Sequence, residues 1–229
     1  MKPVRALFMK QPAQNYKRGD VLLHQGEVGD EVLFITDGFV KAYTIADDGD
    51  EKLITILGPG DVINLEAVLF FDHTHHYYYE AMTDGRVRIL EAPALQKKLE
   101  KDSEALLGLA RYLMTRNDEL AQTLDNILQA KADVKLVNML ALLVQRFGQE
   151  LSEGTVTLPF TLSHAQLASM VGTTRETMTV QVRQLTKRGV VKPAKSGLFR
   201  NHKSGFEINL AKLREMTDVD WWHKGKIYI

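Results

Sequence analysis

Leu106, Leu113, Leu120 and Ile127 stand seven residues apart, with Leu109, Ala110 and Leu124 on the flanking rows. A sustained seven-residue apolar recurrence marks one stripe along a helix, and here it predicts a helix of about 25 residues starting near Ser103. At 1.5 Å per residue such a helix is about 38 Å long, more than a small domain needs for its own cover. The stripe therefore reads as a dimer seam formed by Leu106, Leu109, Leu113, Leu120, Leu124 and Ile127. Arg116 and Asn117 interrupt it, and a polar residue in mid-seam can fix the register of a two-stranded coiled coil. The alternative, a helix packed along its own domain, would have to place both polar residues in a core.

Before the helix the text changes character. From Gly19 to Glu91 it consists of short apolar stretches broken by Gly-Asp pairs at Gly19-Asp20, Gly29-Asp30, Gly49-Asp50 and Gly60-Asp61. The stretches, 21–24, 31–45, 52–57, 77–83 and 86–92, are rich in Val, Ile, Tyr and Phe. Alternation is clearest around Val40-Lys41-Ala42-Tyr43. Glycine supplies positive-φ turn positions, so this region is expected to be an antiparallel β-roll or jelly roll of about 70 residues. Pro93 then begins a short helix.

After the stripe an apolar helix is expected from Ala132 to Phe147, ended by Gly148. Residues 148–154 read as a polar connector, and TVTLPF as a short strand. Next come two helices with a tight turn between them. Ser163 and Gln166 form a capping box at the first, and Gly172 ends it at a left-handed position. Thr173 and Thr174 can both cap the second helix, with Thr173 and Glu176 forming another box. Ala165, Leu167, Ala168 and Val171 supply the packing face of the first helix, and Met178, Val182 and Leu185 the buried face of the second. Arg175, Glu176, Thr179, Val180, Arg183 and Lys187 are left pointing outward. Arg can bond twice to guanine, Glu can accept from cytosine, and a Val or Thr methyl suits the thymine methyl. Ser163, Thr174 and the two helix N-termini are placed for phosphates. Val190 to Lys192 and Phe206 to Ile208 predict a hairpin wing whose loop carries Lys195, Arg200, His202 and Lys203 towards a phosphate backbone.

The charge distribution agrees with that division. The chain has 29 basic and 29 acidic residues. Residues 20–103 hold 7 Lys/Arg against 17 Asp/Glu, whereas residues 155–215 hold 10 Lys/Arg against 3 Glu. The basic half points to a polyanion partner. With no cysteine there is no disulfide framework, no thiolate zinc site and no cysteine-ligated iron–sulfur cluster. No apolar run of membrane-spanning length and no signal-peptide core is present, so a cytoplasmic protein without a membrane partner is expected.

Taken in order, these features resemble the cyclic-AMP receptor / fumarate–nitrate regulator (Crp–Fnr) family of bacterial transcription factors. The resemblance spans roughly residues 17 to 210. It rests on Gly19-Asp20 with Gly26-Glu27, Phe34-Ile35-x-x-Gly38, Gly60-Asp61-Val62-Ile63 and Val171-Gly172-Thr173-Thr174-Arg175-Glu176-Thr177. It implies an α+β chain with three parts: a cyclic-nucleotide-binding-type β-roll sensor (1–102), a dimerisation helix (103–130) and a winged helix–turn–helix DNA-binding domain (131–229). It also implies a homodimer on palindromic double-stranded DNA, allosteric control through the roll, and RNA polymerase as a partner. Arg175, Glu176, Thr179 and Val180 match the family's base-reading positions, where many members carry Arg in place of Val180.

The sensor pocket departs from the pattern. Cyclic-nucleotide binders of the family carry Gly-Glu and then Arg-Ser or Arg-Thr; here the stretch is Asn64-Leu65-Glu66-Ala67 and then His75-His76-Tyr77-Tyr78. A cyclic phosphate needs a close cation, and no Lys or Arg lies between Lys52 and Arg86. Cyclic AMP is not expected to bind in the usual way, and the effector is left unidentified. The candidate effector pocket is Asn64, Leu65, Glu66, His76, Tyr77 and Tyr78. An alternative is a histidine-ligated metal or haem sensor using His73 and His75, with Asp72 or Glu80 as a third ligand; the plainer reading is a polar loop leading into an aromatic strand. An enzyme is not expected: no nucleophile elbow or glycine-rich phosphate loop occurs. A cupin-like metal enzyme or a protein-binding adaptor would leave the basic winged region or its salt dependence unexplained. The tail, residues 218–229 with Trp221 and Trp222, has no assigned role.

Overall fold

The structure is a computed structural model and describes residues 2–70, 73–193 and 206–217. In chain order, helix α1 (Lys2–Met9) leads into strands β1 (Ala13–Tyr16), β2 (Val21–Leu23), β3 (Glu31–Asp37), β4 (Val40–Ile45), β5 (Glu51–Leu57) and β6 (Val62–Ile63). Helix α2 (Glu66–Leu69), strands β7 (Tyr78–Ala81) and β8 (Gly85–Glu91) and helix α3 (Ala92–Leu99) follow. The long helix α4 (Ser103–Leu128) precedes α5 (Ala132–Phe147), β9 (Gln149–Ser152), β10 (Thr155–Thr157), α6 (His164–Val171) and α7 (Arg175–Lys187). Strands β11 (Val191–Pro193) and β12 (Phe206–Asn209) and helix α8 (Leu210–Glu215) complete the described part. The chain divides within α4, after Glu119, into two compact units.

The first unit is a sandwich of two antiparallel sheets, ordered β1-β8-β3-β6 and β2-β7-β4-β5. All four central residues of β3 are buried. Leu33 and Ile35 face the other sheet with Val40, Ala42, Tyr79 and Val87. Val32 and Phe34 face the opposite way, into a second core with Phe8, Leu95, Ala105, Leu109 and Tyr112. Residues 32–35 are apolar without alternation because they are covered on both faces, by a sheet and by helices. Helix α1, which no sequence feature had marked, supplies part of that cover: Phe8 stacks on Phe34 at 5.3 Å. Arg88 on β8 donates to the carbonyls of Met9 and Gln11 beyond its last turn.

Three of the four Gly-Asp pairs turn the chain at positive φ: Gly19, Gly49 and Gly60. Gly29 does not, and corrects the expectation. Its surroundings are close instead: a Cβ there would lie 3.2 Å from Nε2 of His75, so the ring would have to give by a few tenths of an ångström.

In the second unit α5 follows the expected bounds and stops at Gly148. The connector at 148–154 is not irregular: it contains β9, which pairs with β10. The sheet runs β11-β12-β10-β9. Leu136 and Leu140 of α5, Leu167 of α6, Val182 and Leu185 of α7 and Val191 of β11 face a common apolar interior.

Candidate nucleic-acid interface

Helix α6 begins at a full capping box: Gln166 N–H donates to Ser163 Oγ at 3.1 Å, and Ser163 N–H donates to Gln166 Oε1 at 2.9 Å. It ends at Gly172, whose φ of 63° and ψ of 51° are left-handed. Replacing Ser163 by alanine leaves the Gln166 N–H without its acceptor and is expected to lower stability by about 1 kcal/mol, measured by chemical denaturation.

Of the two expected caps of α7, the one at Thr174 forms and the box at Thr173 does not. Thr173 is consumed by the end of α6, where its N–H donates to Ala168 O at 3.0 Å. Thr174 takes the N-cap instead, accepting from the N–H of Thr177 at 3.2 Å, so no box forms between Thr173 and Glu176. Ala165 is exposed, while Leu167, Ala168 and Val171 are buried as expected.

On α7, Met178, Val182 and Leu185 are buried. Arg175, Glu176, Arg183 and Lys187 are exposed and Val180 is half exposed. At 100° per residue these outward side chains span one broad face opposite the buried row. No ion pair among the described residues holds Arg175, Arg183 or Lys187. Thr179 is only partly exposed. Its hydroxyl donates to Arg175 O at 2.9 Å and lies 3.0 Å from Nδ1 of His164, an interhelical contact the sequence reading overlooked.

Strands β11 and β12 form the expected hairpin, Val191 opposite Ile208 and Lys192 opposite Glu207. The loop with Lys195, Arg200, His202 and Lys203 lies outside the described residues, as do Asp72, Trp221, Trp222 and the rest of the 218–229 tail.

Helix α4 carries two apolar faces. Ala105, Leu109 and Tyr112 form the buried inner one, so Leu109 belongs to the core and not to a seam. Arg116 shares that inner side and reaches back to the β5–β6 turn, its Nη1 3.1 Å from Asp61 Oδ1 and its Nη2 2.6 Å from Glu119. Tyr112 donates to the same Asp61 oxygen at 3.2 Å and accepts from Val62 N–H. The outer face exposes Leu106, Leu113, Leu120 and Leu124, joined by Leu107, Met114 and Leu128. Asn117 is exposed among them. Ile127 is half buried, with its Cγ2 3.6 Å from a Cβ placed at Gly172. A strict seven-residue row drifts about 20° per repeat on a straight helix. Three repeats after Leu106 the row has turned from the outer face towards the inner one.

The residues assigned to the candidate effector pocket are placed differently from one another. Asn64 is buried at positive φ and donates from Nδ2 to the carbonyls of Gly29 and Glu31 at 3.3 and 2.9 Å. Leu65 belongs to the helix-covered core, so it closes the region instead of lining it. His76 is exposed; Tyr77 and Tyr78 are half buried, and Tyr78 stacks on Tyr43 at 5.2 Å. The phenol of Tyr79 is driven far up by burial and then by the carboxylate of Glu66, with Tyr77 and Tyr112 adding to it. Cations elsewhere in the sandwich are engaged. Lys41 lies 2.7 Å from Glu51 and 3.1 Å from Glu80, and Arg86 lies 3.4 Å from Asp37.

His73 and His75 are not brought together as ligands. His73 Nδ1 lies 2.5 Å from Asp30, whereas His75 is buried against Gly29 with neither ring nitrogen bonded. Among the described residues no three His, Cys, Asp or Glu side chains converge as a metal site, and no helix is long and apolar enough to cross a membrane.

Comparison with known proteins matches residues 13–102 to the cyclic nucleotide-binding domain and residues 134–203 to the Crp-like helix-turn-helix domain. A CRP-like cAMP-activated global transcriptional regulator of Mycobacterium tuberculosis is 28% identical over 82% of this chain and 84% of its own length. A global nitrogen regulator of Nostoc is 23% identical over 78% and 80%. The crystal structure of a CRP-family transcriptional regulator from Thermus thermophilus shares the fold, with a TM-score of 0.71 and 20% identity over 90% of this chain and 97% of that one.

Proposed function

This chain belongs to the Crp–Fnr family of DNA-binding transcription regulators, and on that premise we propose that it acts as a homodimer on a palindromic site. Each α7 would enter a major groove, with half-sites about 34 Å apart. The observation that carries this reading is the outward row of Arg175, Glu176, Val180 and Arg183 on a helix held by a capped turn and a buried opposite face. The outer leucines of α4 support the dimer, and no catalytic step is part of the reading.

Control through the roll is proposed to use an effector other than cyclic AMP bound in the usual way. The carboxylate of Glu66 and the surrounding phenols form a poor seat for a phosphate, and Lys41, Arg86 and Arg116 already have anionic partners. Cyclic AMP in millimolar excess is accordingly expected to leave the thermal midpoint unchanged; a rise of several degrees would reverse this part of the reading. RNA polymerase is the proposed partner downstream of DNA binding.

Selection from random duplexes with the purified protein tests the whole reading. A recovered palindrome supports it, and binding that is insensitive to salt would sink it, because phosphate contacts make affinity fall steeply with salt. Arg175→Ala is expected to cost about 1–3 kcal/mol on the selected site and to relax one base position, as loss of a bidentate base contact does. Specific binding untouched by that change would mean that α7 is not the reading helix.

A further inference from the structure

We infer that His164 is a positioning residue for base specificity: it fixes the Thr179 side chain so that Thr179 and Val180 together read a thymine methyl. The inference rests on the DNA-binding reading above and sharpens it to one contact.

Thr179 Oγ1 lies 2.9 Å from the carbonyl oxygen of Arg175 and 3.0 Å from Nδ1 of His164. A carbonyl only accepts, so the hydroxyl proton points to Arg175. The imidazole must then be the donor in the second bond, which places its proton on Nδ1. Thr179 therefore has no proton left to offer guanine N7 or O6, or thymine O4. It keeps one lone pair and a methyl group.

His164 is the first residue of α6 and Thr179 lies in the second turn of α7, so the bond ties the two helices at the level of the base-reading row. Next to Thr179, Val180 is 50% exposed, an apolar side chain among Arg175, Glu176 and Arg183 on a face that would otherwise be polar. In the major groove the only apolar group on a base edge is the thymine C5-methyl. The Val180 isopropyl group on this face matches that group, and Thr179, about 100° round the helix, adds a methyl while its hydroxyl is held back.

Deoxyuridine tests this, because it removes the methyl and keeps every hydrogen-bonding group. With the full-length protein and the selected duplex, each thymine of the half-site is replaced in turn. One position per half-site is expected to lose affinity about fourfold, the effect of withdrawing one buried methyl. Val180→Ala should bring thymine and uracil at that position to within twofold of each other. Thr179→Val, which keeps the methyl but deletes the hydroxyl that His164 holds, should shrink the preference to the same extent as His164→Ala and leave general DNA binding intact. His164→Ala should shrink the preference for thymine over uracil while general DNA binding and the thermal midpoint hold. His164→Asn, whose amide can donate from nearly the same place as Nδ1, should restore it.

Equal binding of thymine and uracil at every position, on a palindrome that is still selected, would overturn the inference and leave the regulator reading intact. So would a Thr179→Val variant that loses specific binding tenfold, since the hydroxyl would then be the reader. Undiminished thymine preference in His164→Ala would overturn the role of His164. Failure to select any palindrome would overturn the underlying reading and this inference with it.

Discussion

Aspartate at both Leu113 and Leu120 is expected to yield a folded monomer whose affinity for a palindromic duplex falls by about 10²- to 10⁴-fold, the advantage that bivalency confers. The two leucines are 37% and 56% exposed in the single chain, within a row that also exposes Leu106 and Leu124. Neither belongs to a buried cluster, so the change leaves the two cores of the sandwich intact. In a dimer each would contribute about 1.5–3 kcal/mol on burial, and each aspartate would instead carry an unpaired charge into an apolar seam. Sedimentation velocity measures the outcome directly. Arg111 is exposed on the other side of α4, and Arg111→Asp provides the control that should stay dimeric. A double variant that still sediments as a dimer would mean that α4 is not the seam. Asn117 shows why the seam would be specific as well as sticky: an exposed amide within that row is satisfied best opposite its own counterpart, which penalises slipped registers.

The elements that were legible in the sequence are those decided by neighbouring residues. Ser163 and Gln166 cap α6 because both bonds close within three residues, and Gly172 ends it because left-handed geometry suits glycine. The buried row of α7 follows from helical spacing alone. Where several local rules compete for one residue, the structure had to choose: Thr173 could close α6 or open α7, and its N–H goes to Ala168. What the sequence could not display is which of two neighbouring helical faces meets a distant partner. Leu109 and Leu106 are three residues apart on one helix, yet Leu109 meets the sandwich and Leu106 remains exposed. The candidate effector region was hardest for the same reason. Asn64 looks like a ligand-binding residue beside Glu66, but its amide is occupied by the carbonyls of Gly29 and Glu31, more than thirty residues earlier. Gly29, taken for a turn residue, has ordinary φ and sits tightly against the ring of His75.

Long-range contacts of that kind also predict the largest loss of stability. Asp61 is 7% exposed and gathers four groups from three regions of the chain. Its Oδ2 accepts from Gly58 N–H at 2.8 Å and closes the turn before β6. Its Oδ1 accepts from Tyr112 and lies 3.1 Å from Arg116, both on α4, while its backbone carbonyl accepts from Ile35 N–H. Asp61→Ala would leave the Gly58 donor and the Tyr112 hydroxyl without this acceptor, and Arg116 with Glu119 alone. A loss of about 3 kcal/mol is expected, the low end of the range for removing one partner of a buried ion pair, because Glu119 remains. For a unit of this size that corresponds to a fall of about 12 °C in the thermal midpoint. Arg116→Met makes a useful companion, since it removes the charge and keeps the stem that packs beside Tyr112; it should cost less than Asp61→Ala. A midpoint unchanged in Asp61→Ala would show that the contact is incidental. If the loss is as large as expected, the β5–β6 turn and α4 stand or melt together. Any event in the sandwich that disturbs this turn then bears directly on the helix that carries the exposed leucines.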